Sequence, residues 1–142
     1  MADKKTYELP YIGCLVGTAF QKMISQLEAA LKQEGLRVSA GEYMILRSLY
    51  FRDGLQQCEI CDMVGKDKAS ICRSVSALDK KGLIKLEPVS HKCIRVWLTA
   101  KANEIRPLIM KIAYDRHKAL LSLTTEKEIE IFTKILKSIV ST

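Results

Sequence analysis

Apolar residues recur at helical spacing from the start of the readable pattern. Ile12, Leu15, Val16, Ala19, Phe20, Met23, Ile24, Leu27 and Leu31 form one stripe that ends near Gly35. This predicts a long amphipathic helix. Ser39-Ala-Gly-Glu42 is a capping box, in which serine hydroxyl and glutamate carboxylate each accept from the other's free backbone N–H. It opens a second helix through Tyr43, Leu46 and Leu49, closed by Arg52-Asp53-Gly54. A short helix over residues 57–64 follows and Gly65 breaks it. Asp67 then caps a helix bearing Ile71, Val75 and Leu78 inward and stopped by Gly82.

The period then changes. Residues 83–87 and 93–98 read as two strands joined by a loop over 88–92, so a hairpin directly follows a helix-turn-helix. That order is a winged helix. Helical spacing returns over 101–123 with Ile105, Leu108, Ile109, Ile112 and Leu120, and Pro107 is expected to bend or delay that helix. A further capping box, Thr125-Glu-Lys-Glu128, starts a last helix with Ile129, Phe132, Ile135, Leu136 and Ile139 on one face. The expected fold is mainly α with a small β-hairpin wing. A DNA-binding lobe over 36–100 is flanked by a helical dimerisation region formed from 1–35 and 101–142. The compact lobe can bury only part of the terminal helices' apolar faces, so they are expected to pack across a two-fold axis as a homodimer. An intramolecular bundle is the alternative.

Composition narrows the partner. The chain has 142 residues and a formal net charge of +7, which favours a polyanionic partner over a neutral metabolite. The excess is local: residues 66–95 hold eight basic side chains against three acidic ones, a net +5. The N-terminus lacks the apolar run of a secretory signal and no stretch is long enough for a bilayer, so a cytoplasmic protein without a membrane partner is expected. Five cysteines, an odd number without secretory context, then read as thiols.

The second helix of a helix-turn-helix enters the major groove, where short polar and cationic side chains of its first turns reach base edges. The segment 67–81 supplies them. Arg73 suits bidentate recognition of guanine, Ser70 and Ser74 suit base edges or phosphates, and Lys66 and Lys68 suit phosphates.

These residues carry a resemblance. Asp67-Lys-Ala-Ser-Ile-Cys-Arg-Ser-Val-Ser-Ala-Leu-Asp-Lys-Lys-Gly-Leu-Ile84 resembles the recognition helix and first wing strand of the MarR family of bacterial transcriptional regulators. Ile60 to Gly65 resembles the family's supporting helix, Val96-Trp97-Leu98-Thr99 the end of its wing, and the long terminal helices its dimerisation region. The resemblance implies a homodimer on a pseudo-palindromic operator in double-stranded DNA, usually a repressor released by a small phenolic or lipophilic effector or by oxidation. The family's groove-facing positions fall on Lys68, Ala69, Ser70, Arg73 and Ser74, and its wing-tip arginine falls on Lys92, with His91 and Arg95 beside it. Where the family's wing holds an aspartate before that arginine, this chain has Ser90-His91-Lys92.

Other residues admit competing chemistry. Cys58, Cys61, His91 and Cys93 could complete a zinc tetrahedron, but thiols packed as small hydrophobes explain them as well, and no cofactor is implied. Cys14 resembles the reactive cysteine of hydroperoxide-sensing MarR relatives, with Tyr43 as a donor, which makes a thiol-based oxidative sensor the alternative function; an inert packed cysteine is the plain reading. Tyr7, Tyr11 and Tyr43 could line an effector pocket or belong to the core. His117 sits in a charge run with Arg116 and Lys118, and Trp97 is expected to pack under the wing. A winged helix can also serve purely as a protein-interaction module, which needs no cationic recognition helix. An enzyme is not expected, since no nucleophile–base pair, phosphate loop or acid pair is present.

Overall fold

A computed structural model describes residues 11–142, and Tyr7 lies outside them. The element order is α1 (Ile12–Gln33), α2 (Ala40–Phe51), β1 (Leu55–Gln56), α3 (Gln57–Val64), α4 (Lys68–Lys80), β2 (Ile84–Ser90), β3 (Cys93–Leu98), α5 (Ala100–Leu120) and α6 (Glu126–Val140). The fold is helical with one small antiparallel sheet ordered β1-β3-β2.

The caps form as their residue types require. Ser39 accepts from the Glu42 N–H at 3.2 Å while Glu42 accepts from the Ser39 N–H, and Thr125 and Glu128 do the same for α6. Gly65 ends α3 at φ +71°, a left-handed conformation in which a Cβ would crowd the carbonyl. That turn lets α4 leave at an angle to α3.

Two local expectations change. The wing is longer than predicted: β2 runs through Pro88 to Ser90, leaving His91 and Lys92 as the turn. Pro88 is tolerated because β2 is an edge strand, where a missing N–H costs no central ladder bond. Register slips between Pro88, paired with Ile94, and Ser90, paired with Cys93. Pro107 lies inside α5 without delaying it, since Thr99 caps the helix by accepting from the Ala102 N–H at 3.3 Å. β1, only two residues long, carried no periodic signal and exists because Leu55 and Gln56 pair with Val96 and Arg95.

One core joins these elements. Ile45, Leu46 and Leu49 of α2, Ile60 of α3, Ile71, Val75 and Leu78 of α4, and Val96 of β3 are buried together, with Leu31 of α1 and Ile109 of α5. The terminal helices contribute unevenly. Leu27 and Leu31 are buried, but Ile12, Leu15, Val16 and Phe20 at the other end of α1 are exposed, as are Phe132, Ile135 and Ile139; α6 has no buried residue. No helix among the described residues is long and apolar enough to cross a membrane.

Candidate nucleic-acid interface

α4 is anchored on one side and open on the other. Its buried stripe of Ile71, Val75 and Leu78 packs against α2, α3 and β2, while Lys68, Ala69 and Arg73 are exposed. Asp67 sets its start, accepting from the Ser70 N–H at 2.7 Å. Hydrogen bonds from the Ser70 backbone and hydroxyl hold the Asp67 carboxyl below its ordinary value. Arg73 donates to the Ser70 hydroxyl at 3.1 Å, so the two stand together on the open face, one turn apart.

The remaining residues singled out in the sequence fall in different surroundings. Ser74 is half-buried and faces α2: a Cβ on Gly41 would lie 3.0 Å from its hydroxyl, so Gly41 makes room for that approach. Lys66 is exposed, its ammonium near the same point. His91 and Lys92 are exposed at the wing turn. Arg95 differs from them. It is half-buried on the central strand and donates through Nη1 to the Gly54 carbonyl at 2.9 Å, a bond that ties the wing to the turn before β1. The same turn is closed by Asp53, which accepts from the Leu98 N–H at 2.9 Å, and by the Trp97 ring, which lies against Gly54.

Cys58, Cys61, His91 and Cys93 are brought to one cleft of about 720 Å³ between α3, the first turns of α4 and the wing, and Cys72 and Lys68 join them there. Among the described residues, no group of three His, Cys, Asp or Glu side chains could hold a metal ion. Cys14 lies apart on the exposed half of α1, whereas Tyr43 is buried in the lobe with an unpartnered hydroxyl.

A second cavity of about 640 Å³ lies between α2, α3 and α5, lined by Met44, Arg47, Tyr50, Met63, Arg106 and Met110 among others. Tyr11 and Tyr43 do not line it; Tyr11 is exposed at the start of α1. Tyr50 is braced at its edge, donating to the Ala102 carbonyl at 2.7 Å, with the Arg106 guanidinium 5.0 Å from its ring centroid. Burial pushes the Tyr50 hydroxyl up to about 12, and the Arg106 charge opposes the shift. The outward spacing of Met44, Arg47 and Phe51 along α2 was a usable signal for this wall. The pairing of that wall with Arg106 was not, because α5 lies more than 50 residues away in sequence.

No protein-family model matches the sequence. The chain is 20% identical over 123 residues to the transcriptional regulator HosA of Escherichia coli O111:H-, covering 85% of this chain and 91% of HosA. Among solved structures it is similar to a putative MarR-family transcriptional regulator from Listeria monocytogenes complexed with 26mer DNA. That match has a TM-score of 0.81 and 23% identity, covering 90% of this chain and 85% of the other. CouR from Rhodococcus jostii RHA1, bound to p-coumaroyl-CoA, superposes with a TM-score of 0.80 at 18% identity, covering 91% of each. These likenesses span the terminal helices as well as the lobe, and the chain has the winged-helix fold of the MarR-family transcriptional regulators.

Proposed function

We propose that this chain is a homodimeric transcriptional regulator that lays α4 in the major groove of a pseudo-palindromic operator and its wing along the flanking backbone. One observation carries the reading. The open face of α4 holds Lys68 and the Ser70–Arg73 pair, while its opposite face is anchored in the core, so the side chains that could reach bases are presented on a rigid support. The similarity to a regulator solved with DNA supports it. Lys66 and Lys92 extend the positive surface to either side and suit phosphates.

Dimerisation is supported by the faces that a single chain leaves uncovered. Ile12, Leu15, Val16 and Phe20 on α1, with Phe132, Ile135 and Ile139 on α6, form apolar stripes too extensive to stay in water. Release by a small effector is supported by the cavity beside Arg106, whose methionine and tyrosine walls and two arginines suit an apolar body bearing an anionic group. Repression is the simplest output, since a dimer seated on DNA excludes other proteins from the same site.

The test is selection of bound fragments from the source genome by the intact chain, followed by titration of the best fragment. Arg73→Ala is expected to weaken binding by about 1 to 3 kcal/mol and to relax preference at one base pair. A variant that binds as tightly and as selectively as the parent would overturn the assignment of α4 as the reading helix.

A further inference from the structure

Three polar residues at the start of α4 are ordered by one another before any partner arrives. Asp67, Ser70 and Arg73 follow at three-residue spacing, so each stands one turn from the next. Ser70 is the middle member. Its N–H donates to Asp67 Oδ1 at 2.7 Å, its hydroxyl bonds the same carboxyl, and its oxygen accepts from Arg73 Nη2 at 3.1 Å. A hydroxyl has one proton to give, so turning that proton to Asp67 leaves the oxygen lone pairs for Arg73.

Arg73 is restrained by this bond. A free, exposed arginine samples many rotamers, and a partner that holds it in one reduces the entropy lost when DNA binds. The bond uses a single N–H of the guanidinium, so a pair of N–H groups remains to meet O6 and N7 of a guanine. Asp67 acts on the choice of partner. The bonds from the Ser70 N–H and hydroxyl, and then the charges of Arg73 and Lys66, keep its carboxyl below the ordinary value, so it is ionised at neutral pH. An ionised carboxylate beside Arg73 repels a DNA phosphate but tolerates a neutral base edge.

We infer that Ser70 and Asp67 are positioning residues for base readout: Ser70 aims the Arg73 guanidinium at a guanine, and Asp67 keeps that guanidinium from neighbouring phosphates. Neither has to touch a base. This role rests on the reading of α4 as the groove helix, and adds to it which residues set the preference for one base pair. Lys68, exposed one residue after Asp67 and outside these bonds, remains a phosphate contact without sequence preference.

The experiment titrates the intact chain with the duplex chosen by fragment selection, and with the same duplex carrying each other base pair at the position that Arg73→Ala relaxes. Ser70→Ala retains the N–H that caps α4 and introduces a better helix former, so the helix is kept. It is expected to lose about fivefold of the discrimination at that position, with an unchanged salt slope. Ser70→Thr, which returns the hydroxyl, should return the preference. Asp67→Asn still caps the helix but carries no charge; it should discriminate less and steepen the salt slope by about one phosphate contact. On an Arg73→Ala background, neither Ser70→Ala nor Asp67→Asn should change base preference further. A selective parent whose preference survives Ser70→Ala would overturn the positioning role alone. A loss at Ser70 that adds in full to the loss at Arg73 would also overturn it, by making Ser70 a reader in its own right. A parent that binds every duplex alike would overturn the reading of α4 and this role with it.

Discussion

Lys81, at the end of α4, reaches back to Glu42 in the first turn of α2: its ammonium lies 2.9 Å from Glu42 Oε2, also contacts Oε1, and donates to the Arg37 carbonyl at 2.6 Å. The C-terminal end of α4 is thus tied to α2 by an ion pair, in addition to the buried stripe that packs α4 on α2 and α3. Glu42 is only 2% exposed, so its charge depends on this partner and on the Ser39 N–H, while Lys81 remains partly solvated.

Replacing Lys81 therefore strands a buried carboxylate. Lys81→Met is expected to cost about 2 kcal/mol, below the range for a fully buried pair because water reaches the lysine. Urea unfolding measures it through the midpoint. An unchanged midpoint would mean that Glu42 finds another donor.

Gly54 and Gly65 separate two costs. Both have φ near +71°, but a Cβ on Gly65 meets nothing within 4 Å, whereas one on Gly54 would lie 2.4 Å from the Trp97 ring. Gly65→Ala should lose about 1 to 2 kcal/mol from the left-handed backbone alone. Gly54→Ala adds overpacking and should lose about 2 to 5 kcal/mol. Thermal or urea denaturation of the two variants side by side gives the difference, and equal losses would show that Trp97 moves aside freely.

The wing residues Lys92 and Arg95 are expected to fail differently. Lys92→Ala should leave stability intact and lower the salt dependence of DNA binding by about one phosphate contact. Arg95→Ala removes the bond to the Gly54 carbonyl and should lower stability by about 1 kcal/mol, with a smaller change in salt slope. The reverse pattern would make Arg95 the wing's DNA contact.

For the proposed dimer, light scattering should give twice the 16.0 kDa mass of one chain. Phe132→Glu with Ile135→Glu should shift it to a monomer by placing charge on the uncovered stripe of α6. A monomeric parent at micromolar concentration would place these faces against something other than a second copy.

The elements were legible because their signals are local. Residues 57–64 form α3, Asp67 caps α4, and Ile71, Val75 and Leu78 face inward, all readable from spacing and capping chemistry within a few residues. The hairpin turn was misplaced because Pro88 is a turn former locally and is tolerated only where a strand is an edge, which depends on the sheet order. The environment of Arg95 was hidden for a similar reason. Its partner is a backbone carbonyl 41 positions away, and nothing in a basic residue's identity says whether its charge faces solvent or a neighbouring turn.

The sequence by itself determined the helix order, the caps, the winged helix and the polar face of α4, since each rests on periodicity and on hydrogen bonds between near neighbours. Only the tertiary structure decided that Cys58, Cys61, Cys72 and Cys93 share a cleft, that Lys81 answers Glu42, and that Arg47 and Arg106 border one cavity. Those are meetings across elements. They are set by how the helices pack, a property of the whole core that no short window of residues contains.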